Sequence, residues 1–403
     1  MSPRKLAKTV LYHARRAQIR ALSAPREMRW LRRRLHLPGN QVYDPLAGDT
    51  SEGTRVTLLD AAENFRRPLP TIAGQNPGAF AFFSSRATEF TAPTYVVEFT
   101  DAIAWGHPTG GVFTADGRFV PAFTHDPSGA NFHTVWTRFH LPKPKRLAGR
   151  TLYLVTPEAA DNYHHWIIDL LPRLGLVRRA GYDLAKFDHV IVNHCARRYQ
   201  FETLAQLGID REKIMAASES VFVRADRLVV PSLKTSNQSL PAGDVAFLRE
   251  MFPGRRNRAT GRKIFLSRHD AAFRRLRHET EIHPLLRAHD FEIISPATLD
   301  VAGQARLFSE AAVIAGPAGA AFANLVFANP TARVIEIVPP QWLAVFHWMI
   351  SARLGLEHTI LLGDGPVMKG VPDVAARQCD ILLNPEKLSV LFEEGRAATS
   401  TPA

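Results

Sequence analysis

The amino-acid sequence predicts an α/β protein with two doubly wound domains and an irregular N-terminal region. Two observations carry this prediction. Short apolar runs alternate with helical patterns from about residue 150 onward, and the alternation is interrupted once, between residues 232 and 261, before it resumes. Such alternation is typical of β-α-β units around a parallel sheet. With 403 residues, of which 46% are hydrophobic and 22% charged, the chain is long enough for two domains with cores of their own.

The N-terminal domain is expected over residues 40–240. Its first part, to residue 144, has short extended pieces, such as 95–99 and 111–113, among many Pro, Gly and Thr residues, which predicts strands and loops. The periodic elements that follow are, in chain order, a strand at 152–155, a helix from residue 162, a strand at 189–192, a helix at 199–207 and a strand at 228–230.

The C-terminal domain is expected over residues 262–365, after a linker at 241–261 that follows from clusters of Pro, Gly, Ser and Asn around one short helix at 244–251. Its predicted elements are a strand at 263–266, a helix at 279–289, a strand at 291–294, a helix at 301–310, a strand at 312–315, a helix at 318–327 and a strand at 333–337. A C-terminal segment and polar tail occupy residues 366–403. Doubly wound sheets bind ligands at the carboxyl ends of their strands, so we expect the two domains to face a ligand-binding cleft.

The first 39 residues are predicted to form a basic amphipathic arm. The chain carries a formal charge of +12, which favours anionic partners. Arginines alternate with apolar residues in the arm, at Arg15, Arg16, Arg20, Arg26, Arg29, Arg32, Arg33 and Arg34. Either a solvated helical face or peripheral contact with a membrane surface accounts for this pattern. No nucleic-acid-binding motif accompanies the charge, and we expect no nucleic acid partner.

The compartment predicted from the sequence is the cytoplasm. The N-terminal residues lack the uninterrupted apolar run and cleavage site of a signal peptide. The longest uncharged stretch, residues 311–332, contains a Gly-Pro turn, which argues against a membrane-spanning helix. The two cysteines, Cys195 and Cys379, form no metal-binding or disulfide pattern, which fits a reducing compartment.

The first group of candidate catalytic residues lies in the helix predicted from Asn162. His165 and Asp169 are four residues apart and share a helix face, so the carboxylate can orient the imidazole or act beside it as a base. His164 is the third catalytic candidate, and Asn162 and Arg173 are assigned to the acceptor side. An ordinary helix cap at Asn162 with buried, hydrogen-bonded histidines explains the same residues. A zinc site formed by these side chains is the third interpretation, although the His-Glu-x-x-His spacing of zinc proteases is absent.

Two further groups suit an anionic ligand. In the first group, Ser267 and Arg268 lie at the end of a predicted strand, and Arg274, His278 and Glu279 come shortly after. Arginine offers a fixed fork of hydrogen-bond donors that suits a diphosphate. The alternative interpretation of this group is an arginine-rich surface loop. The second group is a strand-to-helix turn built from small residues, in which a backbone can approach phosphate closely. Its candidate donor-binding positions are Gly316, Gly319, Ala320 and Asn324.

Taken in order, these groups resemble the signature of glycosyltransferase family 61. The histidine-rich segment of the family looks like residues 162–173, and its Ser-Arg, Arg and Asn-Glu pattern looks like Ser267-Arg268, Arg274 and His278-Glu279. The glycine-rich turn of the family looks like residues 316–324, and the glutamate after it looks like Glu336. The resemblance covers about residues 150–345.

The resemblance implies a GT-B architecture, a nucleotide-sugar donor held mainly by the C-terminal domain, inversion at the anomeric carbon and no essential metal or other cofactor. It implies that Arg268 holds the diphosphate of a UDP-linked donor and that Glu336 or Glu279 binds a ribose or sugar hydroxyl. Asp169, supported by His165, is the expected base. The expected function is transfer of a sugar to a glycan or lipid-linked glycan acceptor in bacterial surface-polysaccharide synthesis, at the inner membrane face.

Three positions depart from the family pattern. Ala318 stands where the family has His, His278 stands where it has Asn, and Ala321 replaces the second glycine of the turn. Ala318 and Ala321 motivate a second hypothesis, a non-catalytic nucleotide- or glycan-binding scaffold derived from the family. A metal-dependent hydrolase that uses His164, His165 and Asp169 is the third.

Overall fold

The computed structural model describes residues 42–48, 51–74, 76–124, 143–156, 159–234, 238–253, 261–366 and 375–399, together with residues 10, 14, 135 and 236. Two compact units make up the chain. Unit 1 comprises Met1–Ala62 and Ala92–Thr235, and unit 2 comprises Glu63–Thr91 and Ser236–Ala403. The arginines of the expected basic arm lie outside the described residues.

The division into units differs from the expected boundary at residue 240, because Glu63–Thr91 packs with the C-terminal unit. The sequence alternation on which the boundary rests begins near residue 150, so it carries no information on where this earlier segment pairs. The expected linker at 241–261 contains a helix at Ala242–Met251, and residues 254–260 of it lie outside the described residues.

Unit 1 is built on a mixed sheet. Its described strands are β1 (Thr54–Asp60), β5 (Thr94–Trp105), β6 (Val112–Phe113), β7 (Lys145–Tyr153), β8 (His189–Val192), β9 (Ile214–Ala216) and β10 (Phe222–Pro231). The strand order is β1-β5-β10-β7-β8-β9, with β6 paired to β5. Pairing is parallel from β10 through β7 and β8 to β9, as the β-α-β pattern predicts. It is antiparallel where β5 meets β1 and β10, so the expected doubly wound sheet accounts for only part of this unit.

The helices of unit 1 follow the predicted alternation closely. They are α2 (Tyr163–His165), a π-helical turn (Trp166–Leu170), α3 (Leu171–Arg179) and α4 (Arg198–Gln206), with short 3₁₀ turns at Pro121–Phe123, Leu184–Lys186 and Arg211–Lys213. The side chain of Asn162 begins α2 as its N-cap, because its oxygen accepts a hydrogen bond from the His164 N–H at 3.0 Å.

Unit 2 contains a parallel sheet of the doubly wound type that the sequence predicts. The described strands of this unit are β2 (Glu63–Arg66), β3 (Thr71–Ala73), β4 (Thr88–Thr91), β11 (Arg262–Leu266), β12 (Phe291–Ile294), β13 (Ala311–Pro317), β14 (Arg333–Val338) and β15 (Glu357–Leu362). The order in the sheet is β12-β11-β13-β14-β15-β3, and every pairing is parallel. β2 and β4 form a separate antiparallel pair.

The described helices of unit 2 are α1 (Pro77–Ser84), α5 (Ala242–Met251), α6 (Glu279–Ala288), α7 (Val301–Glu310), α8 (Phe346–Leu354) and α9 (Pro385–Thr399), with 3₁₀ segments at Pro296–Thr298, Ala320–Phe327 and Ala375–Gln378. Side chains alternate across the sheet, as strand geometry requires. On β14, Ile335 and Ile337 pack in the same cluster as Leu286 of α6, whereas Val338 packs with Trp348 of α8.

One edge of this sheet has the geometry of a ligand site. The chain goes from β11 to β12 on one side and then returns to β13 on the other side of β11, so the strand order reverses between β11 and β13. Open α/β sheets bind ligands at such a switch point, at the carboxyl ends of the strands. Here those ends are Leu266 and Pro317, and the residues that follow them are two of the groups singled out in the sequence.

Candidate active-site residues in the two units

His165 and Asp169 form a close pair in unit 1. The His165 Nδ1 atom lies 2.6 Å from Asp169 Oδ2, and both side chains are buried. When the ring is neutral and its Nδ1–H donates to the carboxylate, the basic lone pair is on Nε2. The predicted pairing on one helix face is confirmed, although a π-helical turn, and not a regular α-helix, brings the two side chains together.

The π-helical turn has a local cause in Pro172. A proline lacks the N–H that would bond the carbonyl four residues earlier, which here is Ile168, and its ring crowds that carbonyl. The turn is wider instead, and the Leu171 N–H donates to the Trp166 carbonyl five residues back. Ile168 O is then bonded by another group, the amine of Lys234, at 2.5 Å.

Lys234 is a member of this group that the sequence analysis missed. Its Nζ lies 3.4 Å from Asp169 Oδ1, on the other side of the carboxylate from His165, and its side chain is buried. It follows β10 in the chain, far from the helix in sequence, and no motif marks it. The Asp169 carboxylate is therefore held between an imidazole and an ammonium group.

Two other residues predicted in this group, His164 and Arg173, are buried and contact other parts of unit 1. The His164 ring is buried and meets the His165 ring edge-on, with centroids 5.4 Å apart. Arg173 is buried, and its guanidinium donates to the carbonyls of Leu154 and Pro231 at 2.8 Å each. Burial lowers the pKa of Arg173 to about 9, which leaves it charged at neutral pH. These contacts tie the ends of β7 and β10 together and give Arg173 a structural role, while its acceptor-side role stays a prediction.

Two arginines converge on the turn after β13 in unit 2. The Arg274 Nε–H donates to the Ala318 carbonyl at 3.0 Å, and a Cβ atom placed on Gly319 would lie only 1.9 Å from Arg268 Nη1. The absence of a side chain at Gly319 thus gives the Arg268 guanidinium its place. Arg268 Nη2 donates to the Phe273 carbonyl at 2.9 Å, and its Nε makes no hydrogen bond within the described residues.

Both arginines are partly withdrawn from water. Burial lowers the pKa of Arg268, and burial together with the neighbouring charge of Arg268 lowers that of Arg274 to about 10. Both remain charged at neutral pH, so two like charges are held side by side at the switch point. Such an arrangement is stabilised when an anion binds between them.

Ser267 and Glu279 form a polar contact at the base of the same loop. The Ser267 hydroxyl donates to Glu279 Oε1 and lies 2.9 Å from His269 Nδ1. Glu279 is buried at the start of α6, where a carboxylate is favoured by the helix dipole. His278 differs from the prediction, because its side chain is 69% exposed and lies beside Glu281 instead of the arginines.

Gly316 and Asn324, two of the predicted donor-binding positions, have packing roles within unit 2. A Cβ atom on Gly316 would lie 2.7 Å from the Leu266 carbonyl, and its φ of +154° is rarely adopted by other residues, so only glycine allows β13 to approach β11 this closely. Asn324 is fully buried, and its amide donates to Gln304 at 2.7 Å. Ala320 begins the segment predicted as an α-helix at 318–327, which is a 3₁₀ helix at Ala320–Phe327.

Glu336 is buried between two histidines that the sequence analysis missed. His347 Nδ1 lies 2.6 Å from its Oε1, and His358 Nε2 lies 3.2 Å from its Oε2. Burial alone would raise the pKa of Glu336, but the charge and hydrogen bonds of the histidines lower it to about 2. Both carboxylate oxygens contact histidines of unit 2, and the contact with a ribose or sugar hydroxyl stays a prediction.

Two absences hold for the residues that the structure describes. No three His, Cys, Asp or Glu side chains among them are grouped so as to hold a metal ion. Among the described helices, none combines the length and the apolar composition needed to cross a bilayer.

Fold and site together define a class of protein. It is an α/β protein with a Rossmann-like parallel sheet, a cationic loop at the switch point of that sheet and a buried His-Asp pair in its other unit. Residues 163–335 match the family described as Glycosyltransferase 61. This match indicates glycosyltransferase activity in general, with a sugar donor and an acceptor as substrates. No curated protein matches the chain.

Proposed function

We propose that this chain is an inverting glycosyltransferase of GT-B architecture, which transfers a sugar from a nucleotide-sugar donor to a glycan or lipid-linked glycan in bacterial surface-polysaccharide synthesis. The observation that carries the donor part is the convergence of Arg268 and Arg274 on the Ala318–Gly319 turn, at the switch point of the sheet of unit 2. The more specific parts of the proposal rest on the family resemblance. These are inversion, a UDP-linked donor, independence from metal and a cytoplasmic location at the inner membrane face.

The donor side follows from the chemistry of the leaving group. When the bond between the sugar and the nucleoside diphosphate breaks, the electron pair remains on the diphosphate, whose negative charge must be stabilised. Arg268 and Arg274 supply two planar donor groups in a partly buried place, where Coulomb interactions are stronger than in water. Gly319, which has no side chain, lets the Arg268 guanidinium lie directly against the turn.

The acceptor side requires one base. In an inverting transfer the acceptor hydroxyl loses its proton, its oxygen forms a bond to the anomeric carbon, and the bond to the diphosphate oxygen breaks on the opposite face. We assign the base to Nε2 of His165 and give Asp169 the role of orienting the ring, because one carboxylate oxygen contacts the imidazole Nδ1 and the other faces the Lys234 ammonium group. The assignment predicted from the sequence, Asp169 as the base and His165 as its support, is the alternative.

A ligand screen tests the donor part directly. The purified protein is examined by thermal shift and calorimetry against UDP, GDP, CMP and TDP, each with and without divalent metal, since a ligand that binds the folded state stabilises it. We expect one nucleotide to bind without metal and the Arg268→Ala variant to lose about 10- to 100-fold in affinity, the scale of a charge-assisted hydrogen bond.

The same screen separates the rival hypotheses. Binding without transfer or donor hydrolysis would favour the scaffold derived from the family over an enzyme. If no nucleotide bound under any condition, the donor site proposed at Arg268 and Arg274 would be refuted. If activity required stoichiometric bound metal, the metal-independent mechanism would be refuted instead.

A further inference from the structure

The C-terminal part of unit 2 is bonded to the loop that carries Arg274. Ile381 pairs with Leu276 in a short parallel bridge: its N–H donates to the Arg275 carbonyl, and its carbonyl accepts from the Arg277 N–H, both at 2.8 Å. Ile381 and Leu276 are also buried in the same core cluster. These residues lie beyond residue 335, where the family match ends.

Asp380 adds a charged contact beside this bridge. One of its oxygens accepts from the backbone N–H of Arg275 at 3.0 Å, and the other pairs with the Arg275 guanidinium at 2.9 Å. The preceding residue, Arg274, has a φ of +54°, a conformation that non-glycine residues adopt at a cost in free energy. Contacts on the following residue help to maintain that conformation, which aims the Arg274 side chain at the Ala318 carbonyl.

The same segment brings a third arginine to the site. Arg274 Nη1 donates to the backbone carbonyl of Arg377 at 2.9 Å. Besides burial and Arg268, the positive charge of Arg377 lowers the pKa of Arg274. The Arg377 guanidinium thus lies within Coulomb range of Arg274, and the residue is exposed to solvent at the edge of the arginine pair.

We propose that the C-terminal segment completes the anion site of unit 2: Arg377 supplies a third guanidinium group to a bound diphosphate, and Asp380 positions the loop that carries Arg274. This inference rests on the proposed donor site at Arg268 and Arg274. Three cations held together repel one another, and an anion with more than one negative charge offsets that repulsion better than a single carboxylate does. The ligand class is therefore a diphosphate, free or as part of a nucleotide.

The first experiment removes the Arg377 charge from the full-length chain. Affinities for UDP, GDP and inorganic pyrophosphate are measured by calorimetry for the wild type, Arg377→Gln, Arg268→Gln and Arg287→Gln. Arg287 is an exposed arginine in the last turn of α6, at the opposite edge of the sheet, so its variant has the same net charge without touching the site. We expect Arg377→Gln to bind about 10-fold or more weakly and Arg287→Gln to bind as the wild type does.

The second experiment tests the positioning role of Asp380. Asp380→Asn should weaken binding while the thermal midpoint of the ligand-free protein stays close to that of the wild type, and Asp380→Glu should restore part of the affinity. This inference would be overturned if the wild type, Arg377→Gln and Asp380→Asn bound with equal affinity while Arg268→Gln lost affinity. The proposed donor site would then still be supported. Failure of the wild type to bind any of the three probes would overturn both.

Discussion

At the scale of single residues, the assignment of the catalytic base is a choice between His165 and Asp169. The 2.6 Å contact between them makes either residue essential to the other, so a loss of rate alone does not identify the base. The dependence of the rate on pH identifies the base, because a variant that keeps the base also keeps the change of rate that its ionisation causes.

We therefore predict different pH profiles for two variants. His165→Gln should lower kcat by about 10²- to 10⁴-fold and abolish the rise of the rate with pH, whereas Asp169→Asn should lower kcat but retain that rise. Nucleotide affinity, measured by calorimetry on the same preparations, should be unchanged in both. A His165→Gln enzyme that keeps the pH dependence of the wild type would return the role of base to Asp169.

Glu336 supports a prediction on acid stability. Its pKa falls from an ordinary value of 4.5 in the unfolded chain to about 2 in the folded protein, so its ionised form favours the folded state. That contribution is fully present above pH 4.5 and is lost as the pH falls toward 2. Glu336→Gln should lower the free energy of unfolding by about 3–5 kcal/mol at neutral pH, since it leaves two histidines without their carboxylate.

Urea unfolding from pH 7 to pH 3 measures this effect as the difference between wild type and Glu336→Gln, in which the titration of groups away from Glu336 and its two histidines largely cancels. The difference should shrink as the pH falls from about 4.5 toward 3. A difference that stayed constant down to pH 3 would show that Glu336 does not gain stability from its ionised form.

At the scale of elements, the π-helical turn at Trp166–Leu170 depends on a residue from elsewhere in the chain. Pro172 leaves the Ile168 carbonyl without its helical partner, and Lys234 donates to that carbonyl and forms an ion pair with the Asp169 carboxylate. The helix and the end of β10 are thus joined by one buried amine.

Lys234→Met should therefore destabilise the protein by about 1–3 kcal/mol, because a buried carbonyl and a carboxylate lose a charged donor. Lys213→Met is the matched control. Lys213 also donates to a carbonyl, that of Ala185, at 2.7 Å and pairs with an aspartate, but its contacts are exposed, so its loss should cost less than about 1 kcal/mol. Chemical denaturation measures both, and equal effects would show that the amine of Lys234 contributes no more than a surface pair.

At the scale of the whole molecule, unit 2 is assembled from two separate stretches of chain. Glu89, in the earlier stretch, is buried and accepts hydrogen bonds from Arg67, from the Leu240 N–H at 2.7 Å and from Arg353 at 3.2 Å. Arg67 belongs to the same early stretch, whereas Leu240 and Arg353 belong to the later one. This carboxylate therefore joins the two stretches.

Replacement of Glu89 should destabilise unit 2 strongly. Glu89→Gln leaves the buried Arg67 guanidinium without its countercharge and leaves Arg353 paired with Glu63 alone, and we expect a loss of about 3–5 kcal/mol in the free energy of unfolding. Glu63→Gln is the control, because Glu63 pairs with the same Arg353 at 2.8 Å but is 42% exposed, and its loss should cost about 1 kcal/mol or less. Urea denaturation compares the two variants, and similar losses would contradict a joining role for Glu89.

Local periodicity determined most of the C-terminal sheet in advance. The predicted strand at 291–294 and helix at 301–310 coincide with β12 and α7, and the sequence order of Ser267, Arg268, Arg274 and the glycine-containing turn was enough to indicate the family. These features depend on neighbours along the chain: side-chain alternation, helix caps and residues that follow a strand end.

Only the tertiary structure decided which distant residues complete each site. Lys234 reaches Asp169, His347 and His358 enclose Glu336, and Arg377 approaches Arg274, although no motif connects the members of any of these groups. It also assigned Arg173 and Asn324 to internal contacts and placed Glu63–Thr91 in unit 2. The physical reason is that burial and long-range pairing are set by how strands and helices pack, whereas sequence patterns report only the preferences of neighbouring residues.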